Sequence, residues 1–232
     1  MDAGEMAEIL KSSLGLKDEP VGVVLFKNEN DIPADMKEIE KPLSYCNMIQ
    51  MARQGAISFA RPAQHDCKGG ASGMGLMECP ENIASGNLYF SKLNKCVTPG
   101  VGQRIVSNMP RIPAGSIVAT LSGPLKELKM TPDVVIFVGS PLQARRITQA
   151  VMYRRGGRMD FNTAGIQSFC VDATASPYLK GEVNVSLGCD GSARKSKLAD
   201  DEVVVGIPFE MMEDICNTLK SRHQGWDKFM RS

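Results

Sequence analysis

Apolar positions along the chain follow two patterns, a helical spacing and short continuous runs. Residues 5–14 carry an apolar face at helical spacing and stop at Gly15, which predicts an amphipathic helix. Short apolar runs rich in β-branched residues predict buried strands. These runs lie at 21–26, 117–121, 134–138, 166–174, 182–187 and 203–208.

Helical patterns fall between several of these runs. Residues 43–54 predict a second helix, and the chain then passes from strand character into a glycine-rich loop around Cys67. Ser140 and Pro141 suit the cap and first turn of a helix that follows the 134–138 strand directly. Residues 209–221 predict a closing helix. Residues 76–115 are rich in Pro and read as loop with short elements.

The order of these elements predicts an α/β fold, with mixed α+β as the variant, in one globular unit over 1–232 around a mixed sheet. One short pattern occurs twice, ending at Cys67 and at Cys170. It consists of an Arg-x-Gly motif, a Phe four residues after the Gly, and a Cys eight or nine residues after the Phe. This repeat suggests two degenerate strand-helix-strand halves, roughly 16–115 and 116–208. Cys67 and Cys170 would then occupy related places.

Composition narrows the function classes. The chain has 232 residues, with 27 Lys and Arg against 26 Asp and Glu, so the net charge of +1 gives no electrostatic case for nucleic-acid binding. No apolar segment approaches a membrane span, and the first residues lack a secretory signal. We therefore expect a cytoplasmic protein whose seven Cys are free, metal-bound or reactive rather than paired as disulfides. Homo-oligomerisation is left open.

Several blocks, in order along nearly the whole chain, carry a family resemblance. They are PVGVVLF, SYC before a helix, HDCKGGASGMGL, PDVVIFVGSP, NVSLGCDGSARK and DDEVVVGIP. With these blocks the chain resembles the DUF169 family, whose members are found in archaea and anaerobic bacteria. The resemblance implies that Cys46, Cys67, Cys170 and Cys189 occupy the family's recurring cysteine positions, and it implies no activity.

Four cysteine thiolates are the usual ligand set of an iron–sulfur cluster. The four family-like cysteines have no C-x-x-C spacing, so the fold would have to bring distant segments together. Cys67 and Cys189 both lie in glycine-rich segments, where backbone can approach a bulky group closely. The first hypothesis is therefore a redox protein that holds a cluster through these four residues and exchanges electrons with a partner protein. The alternative is that the cysteines are buried thiols that pack as small hydrophobes.

Two other classes of function stay open, and with them the question of whether the chain is an enzyme. Gly139 and Ser140 start a helix at the end of a strand, a usual place for anions, and Arg145 and Arg146 follow on that helix. These residues predict a binding module for a small anionic ligand. A third hypothesis is a thiol-dependent enzyme that uses Cys67, with the neighbouring His65 lowering the thiol pKa.

Overall fold

The computed structural model describes the backbone of residues 1–230 and the side chains of 1–222. The α-helices are α1 (Ala3–Leu14), α2 (Tyr45–Arg53), α3 (Lys68–Gly73), α4 (Glu81–Ala84), α5 (Pro99–Ser107), α6 (Pro141–Arg155), α7 (Ser176–Lys180), α8 (Asp190–Ser196) and α9 (Met212–Met230). The strands are β1 (Val21–Phe26), β2 (Ser58–Ala60), β3 (Ala119–Pro124), β4 (Val134–Gly139), β5 (Asn184–Ser186) and β6 (Val203–Pro208). Among the described residues, no helix is both long enough and apolar enough to cross a bilayer.

The strands form a six-stranded sheet in the order β2-β3-β1-β4-β6-β5. Every neighbouring pair in this sheet is antiparallel; for example, Val21 lies opposite Pro124 in β3 and opposite Ile136 in β4. The mixed helix and strand architecture in a single unit is confirmed. The sheet takes the α+β variant, because the named strands contain no parallel pair of the kind a mixed sheet would have.

Helices cover both faces of the sheet. Val135 and Phe137 of β4 point into a core shared with α1, α6 and α9, whereas Val134 and Ile136 point into a core shared with α2 and α3. A strand that is buried on both faces has no polar side, which explains why β1, β4 and β6 appear in the sequence as continuous apolar runs.

The strand order reads the same from both ends if β1, β2 and β3 are matched with β4, β5 and β6. This is the order that a duplicated three-stranded unit would leave, and duplication itself stays a prediction. The matching places β3 with the first half, although the predicted boundary at 115/116 puts it in the second. It also matches Cys67 with Cys189, since each lies between the second and third strand of its unit. Cys46 is likewise matched with Cys170, since each lies between the first and second strand. The expected equivalence of Cys67 with Cys170 does not follow this order.

The predicted strand at 166–174 is wrong. Residues Ser168–Ala175 form a π-helix, entered through a left-handed Gln167 with φ 58°. This helix packs closely on β6, where a Cβ added to Gly206 would lie 2.1 Å from the Ala173 carbonyl oxygen. The run that suggests a strand is instead a helix whose residues are all buried.

The two glycine-rich segments around cysteines are also helical rather than loops. Cys67 is the residue before α3, and Cys189 is the residue before α8. Glycine is a poor helix former, so α3 depends on packing and not on intrinsic propensity. Its residues 69–73 are all buried.

Candidate cofactor site

Four separate segments bring the family-like cysteines to one side of the sheet. Cys46 is the second residue of α2, Cys67 and Cys189 precede α3 and α8, and Cys170 lies in the π-helix. Helix α2 packs against both α8 and the π-helix, and α3 packs against the π-helix. The fold therefore assembles a set of residues that are far apart in sequence.

Hydrogen bonds join these segments to one another. The Tyr45 hydroxyl lies 2.9 Å from Thr174 Oγ1, which connects α2 to the π-helix. The Asn47 amide donates to the Lys195 carbonyl at 2.7 Å, which connects α2 to α8. Lys195 also pairs with Asp66 at 3.5 Å, next to Cys67. These contacts fix the four segments in a single arrangement.

The four thiols interact electrostatically. Burial raises the pKa of Cys170 well above its usual value, and Cys46, Cys67 and Cys189 raise it further, because each would repel a thiolate at that position. Burial raises the pKa of Cys46 to about 12, with further increases from Cys189 and Cys67 and a decrease from Lys195. Cys170 and Cys46 therefore stay protonated at neutral pH unless a cation binds, as metal binding to thiols requires proton release.

The space beside two of the sulfurs depends on a glycine. A Cβ added at Gly70 would lie 3.4 Å from Cys170 Sγ and 3.8 Å from Cys67 Sγ. Any other residue at this position would place its Cβ in contact with both sulfurs. Cys67 is exposed, Cys46 and Cys189 are half-buried, and Cys170 is buried, so the site reaches from the core to the surface.

The sulfurs are not arranged for a single metal ion. Within the described residues, no three His, Cys, Asp or Glu side chains are placed to hold one ion. A single zinc requires its thiolates at about 2.3 Å from one centre. In an iron–sulfur cluster, by contrast, cysteines bind separate irons and so stand farther apart. Four cysteine sulfurs are the donor set that such a cluster uses.

Polar groups that the sequence did not single out lie beside Cys67 and Cys170. Gln167 Nε2 donates to the Tyr89 hydroxyl at 2.7 Å. A Cβ added at Gly69 would lie 3.3 Å from the same Nε2, so the amide lies along the glycine face of α3. Burial raises the pKa of Tyr89 to about 12, and its further influences include Cys170, Arg111 and Cys67. No sequence signal marks Gln167, because its position beside α3 follows from its left-handed backbone, which the pattern of residues does not reveal.

The remaining three cysteines lie outside the four segments that carry the site. Cys216 is buried on the apolar face of α9, as its helical pattern predicts, with Sγ 3.7 Å from the Met6 carbonyl oxygen. Burial raises its pKa to about 12. Cys79 and Cys96 are half-buried and pack around a small cluster that contains Ile83 and Val106.

His65 does not have the position that a thiol-activating base would need. Its ring is buried, stacks on Tyr45 at 6.4 Å between centroids, and places Nε2 3.1 Å from Thr120 Oγ1. Burial, with a smaller contribution from Lys68, lowers its pKa to about 4. The imidazole is therefore neutral at pH 7, and a thiol enzyme built on Cys67 stays a prediction without support from this residue.

In the fold, the helix start at Gly139 and Ser140 is separated from the two arginines of the predicted anion site. Ser140 and Gln143 cap α6 reciprocally: the Ser140 N–H donates to Gln143 Oε1 at 2.6 Å, and the Gln143 N–H donates to Ser140 Oγ at 3.4 Å. A cavity of about 230 Å³ touches Gly139 and Ser140 and is lined also by charged side chains of both signs. These are Lys17, Asp18, Arg53, Asp201 and Glu202.

The two arginines of that prediction lie away from the cavity. Arg145 is exposed on α6, and Arg146 donates to the Ser13 carbonyl at 3.2 Å. Neither is among the described residues that line the cavity. Anion binding at Gly139, Ser140, Arg145 and Arg146 stays a prediction.

A family model covers almost all of this architecture. The model of DUF169, described as uncharacterised ArCR, matches residues 9–218. The chain belongs to the DUF169 family. The matched span includes β1–β6 and all four cysteines of the site, so the site lies within the DUF169 domain and not in an addition to it.

A relative of similar length comes from an archaeon. The uncharacterised protein MJ0308 of Methanocaldococcus jannaschii is 37% identical over 231 residues, covering 97% of this DUF169 chain and 98% of that protein. No solved structure matches the chain significantly. The relative gives no activity, so function has to be argued from the site.

Proposed function

We propose that this DUF169 protein is a cytoplasmic redox protein that holds an iron–sulfur cluster through Cys46, Cys67, Cys170 and Cys189. The observation that carries the proposal is that Cys67 and Cys170, from two separate segments, both lie within contact distance of one position on α3, Gly70, and that the other three thiols raise the pKa of Cys170. The alternative, that these cysteines are merely packing residues, gives no reason for four of seven to gather at one place.

The protein's contribution to such a site would be binding and positioning. Cys170 lies in the buried π-helix and Cys67 is exposed, so a cluster held between them would have one side in the core and one near solvent. When bound, a cluster supplies one-electron transfer. Lys195, which lowers the pKa of Cys46, would favour the thiolate form that ligation needs.

The exposed side also indicates how electrons would reach the site. Electron exchange with a partner protein requires a cofactor close to the surface, and Cys67 provides that edge. Next to Cys189 lies an open cavity of about 480 Å³, bordered by Lys95, Asp190 and the exposed Leu187. A redox partner or a small substrate would approach here.

The test is anaerobic purification followed by iron and acid-labile sulfide analysis and a visible spectrum. We expect brown protein with stoichiometric iron and sulfide. Replacing Cys46, Cys67, Cys170 or Cys189 with Ser should remove most of the iron in each case. Cys79→Ser and Cys96→Ser serve as matched controls and should keep it. Colourless wild-type protein without iron after anaerobic reconstitution would refute the proposal.

A further inference from the structure

Polar groups without partners gather beside the cysteine site. Gln167 has a left-handed backbone with φ 58°, which is uncommon for a residue with a side chain and strained. Its side chain is only 8% exposed, and its Oε1 has no hydrogen-bond partner. Buried polar groups are normally paired, so this residue indicates a function beyond packing.

Arg111 shows the same feature in a charged group. Its Nε and Nη2 are both buried and neither has a hydrogen-bond partner. These two nitrogens form one edge of the guanidinium, the edge that binds an anion through two parallel hydrogen bonds. Within the described residues, no carboxylate forms an ion pair with Arg111. A cationic edge that is removed from water is stabilised by an opposite charge, so these two nitrogens suit an anionic ligand.

Tyr89 and Arg111 both lie near α3. Gln167, which packs against Gly73, bonds the Tyr89 hydroxyl, and Ile112, next to Arg111 in sequence, donates its N–H to the Gly73 carbonyl at 3.1 Å. Burial is the largest influence on its pKa, which is raised to about 12, followed by Gln167, Cys170, Arg111 and Cys67. The phenol is therefore neutral and within electrostatic range of the arginine and of two thiols. Its oxygen accepts a hydrogen bond from Gln167, and its own hydrogen has no acceptor among the described residues.

We propose that Arg111, Tyr89 and Gln167 set the reduction potential of the iron–sulfur cluster. This inference rests on the proposed function. A cluster with four thiolates is an anion and gains a further negative charge when it accepts one electron from an external donor; no bond in the protein forms or breaks. Arg111 is the counter-charge for that anion, and the Tyr89 hydroxyl is a hydrogen-bond donor towards its sulfur. Gln167 is a positioning residue that holds the Tyr89 ring.

This arrangement accounts for the unpaired groups together. Arg111 has no carboxylate partner because its partner is the anionic cofactor. Charge near a cluster and hydrogen bonds to its sulfurs are established means of shifting its potential. Both stabilise the reduced form more than the oxidised form, since the reduced form carries the larger negative charge. Removing either should make the cluster harder to reduce.

The test is a redox titration of the loaded protein, monitored by visible absorbance, for wild type, Arg111→Gln, Arg111→Lys and Tyr89→Phe. We expect all four to bind equal iron. At a fixed ambient potential the ratio of reduced to oxidised cluster should fall at least tenfold in Arg111→Gln, equivalent to 59 mV for one electron. Tyr89→Phe should shift in the same direction, and Arg111→Lys should recover much of the loss.

Exposed residues of the same types provide the controls. Arg104→Gln on α5 and Tyr153→Phe on α6 should leave the potential unchanged. The cluster-free Arg111→Gln protein should melt no lower than cluster-free wild type, because the substitution removes an unpaired cation. Equal potentials in every variant with full iron would overturn this inference and leave the proposed function standing. Loss of iron from Arg111→Gln alone would also overturn it. Wild type without iron would refute the proposed function itself.

Discussion

Gly70 provides a test in which cofactor binding and stability are expected to change in opposite directions. In the cluster-free protein, the methyl group of Gly70→Ala would lie at ordinary contact distance from the sulfurs of Cys170 and Cys67, 3.4 and 3.8 Å. Gly70 is inside α3, where Ala is favoured over Gly by about 1 kcal/mol. A stabilisation of this size raises the melting temperature of a domain of this length by about 2–4 °C.

The same methyl group would occupy space in contact with two proposed cluster ligands. We therefore expect Gly70→Ala to melt slightly above wild type when both are cluster-free, and to bind little iron on reconstitution. Melting is followed by circular dichroism after chelation, and iron is measured per chain. The control is Gly100→Ala in α5, where an added Cβ meets only Thr98 Oγ1, at 4.0 Å. This variant should gain stability and keep its iron.

Two outcomes would contradict the reasoning. If Gly70→Ala binds iron as wild type does, the cluster does not lie between Cys67 and Cys170. If the cluster-free variant melts well below wild type, the space beside Gly70 is smaller than its distances indicate, and loss of iron would then be a folding defect.

Two further predictions concern stability alone. Gly206→Ala should destabilise the protein by about 3 kcal/mol in urea unfolding, because its Cβ would overlap the Ala173 carbonyl oxygen; an unchanged midpoint would show that the π-helix does not pack on β6 so closely. His65, whose pKa is lowered from 6.5 to about 4, should contribute stability that is complete above pH 6.5 and is lost as pH falls through 4, on the order of 3 kcal/mol. His65→Gln should flatten the pH dependence of cluster-free unfolding between these values, and parallel profiles for the two proteins would argue against a buried neutral imidazole.

Long strands and helices were predictable because their patterns are local. The runs at 21–26, 134–138 and 203–208 are strands with those bounds or within one residue of them. Ser140 caps α6 as its position before Pro141 predicts. These features depend on side chains within one turn or one strand, which the sequence displays directly.

The misassigned parts depend on distant contacts. Residues 168–175 have the apolar character of a strand, but a left-handed Gln167 and the glycine in β6 allow a π-helix to pack there. Similarly, the glycines of α3 read as loop, and only burial against the π-helix makes them helical. The cysteine set could be named from a family resemblance, whereas Tyr89, Gln167 and Arg111 could not. Their importance lies in missing partners, and partners are a property of the folded state.

If the predicted duplication produced the palindromic strand order, the four-cysteine site would have been assembled from two equivalent halves. Each three-stranded unit contributes one cysteine from its first connection, Cys46 or Cys170, and one from its second, Cys67 or Cys189. A chain of half the length would therefore carry two of the four thiols. Two such copies, paired through the strands that correspond to β1 and β4, would be needed to complete the set. Fusion of the copies would turn a cofactor shared between subunits into one enclosed by a single polypeptide, and would free each unit to diverge around it.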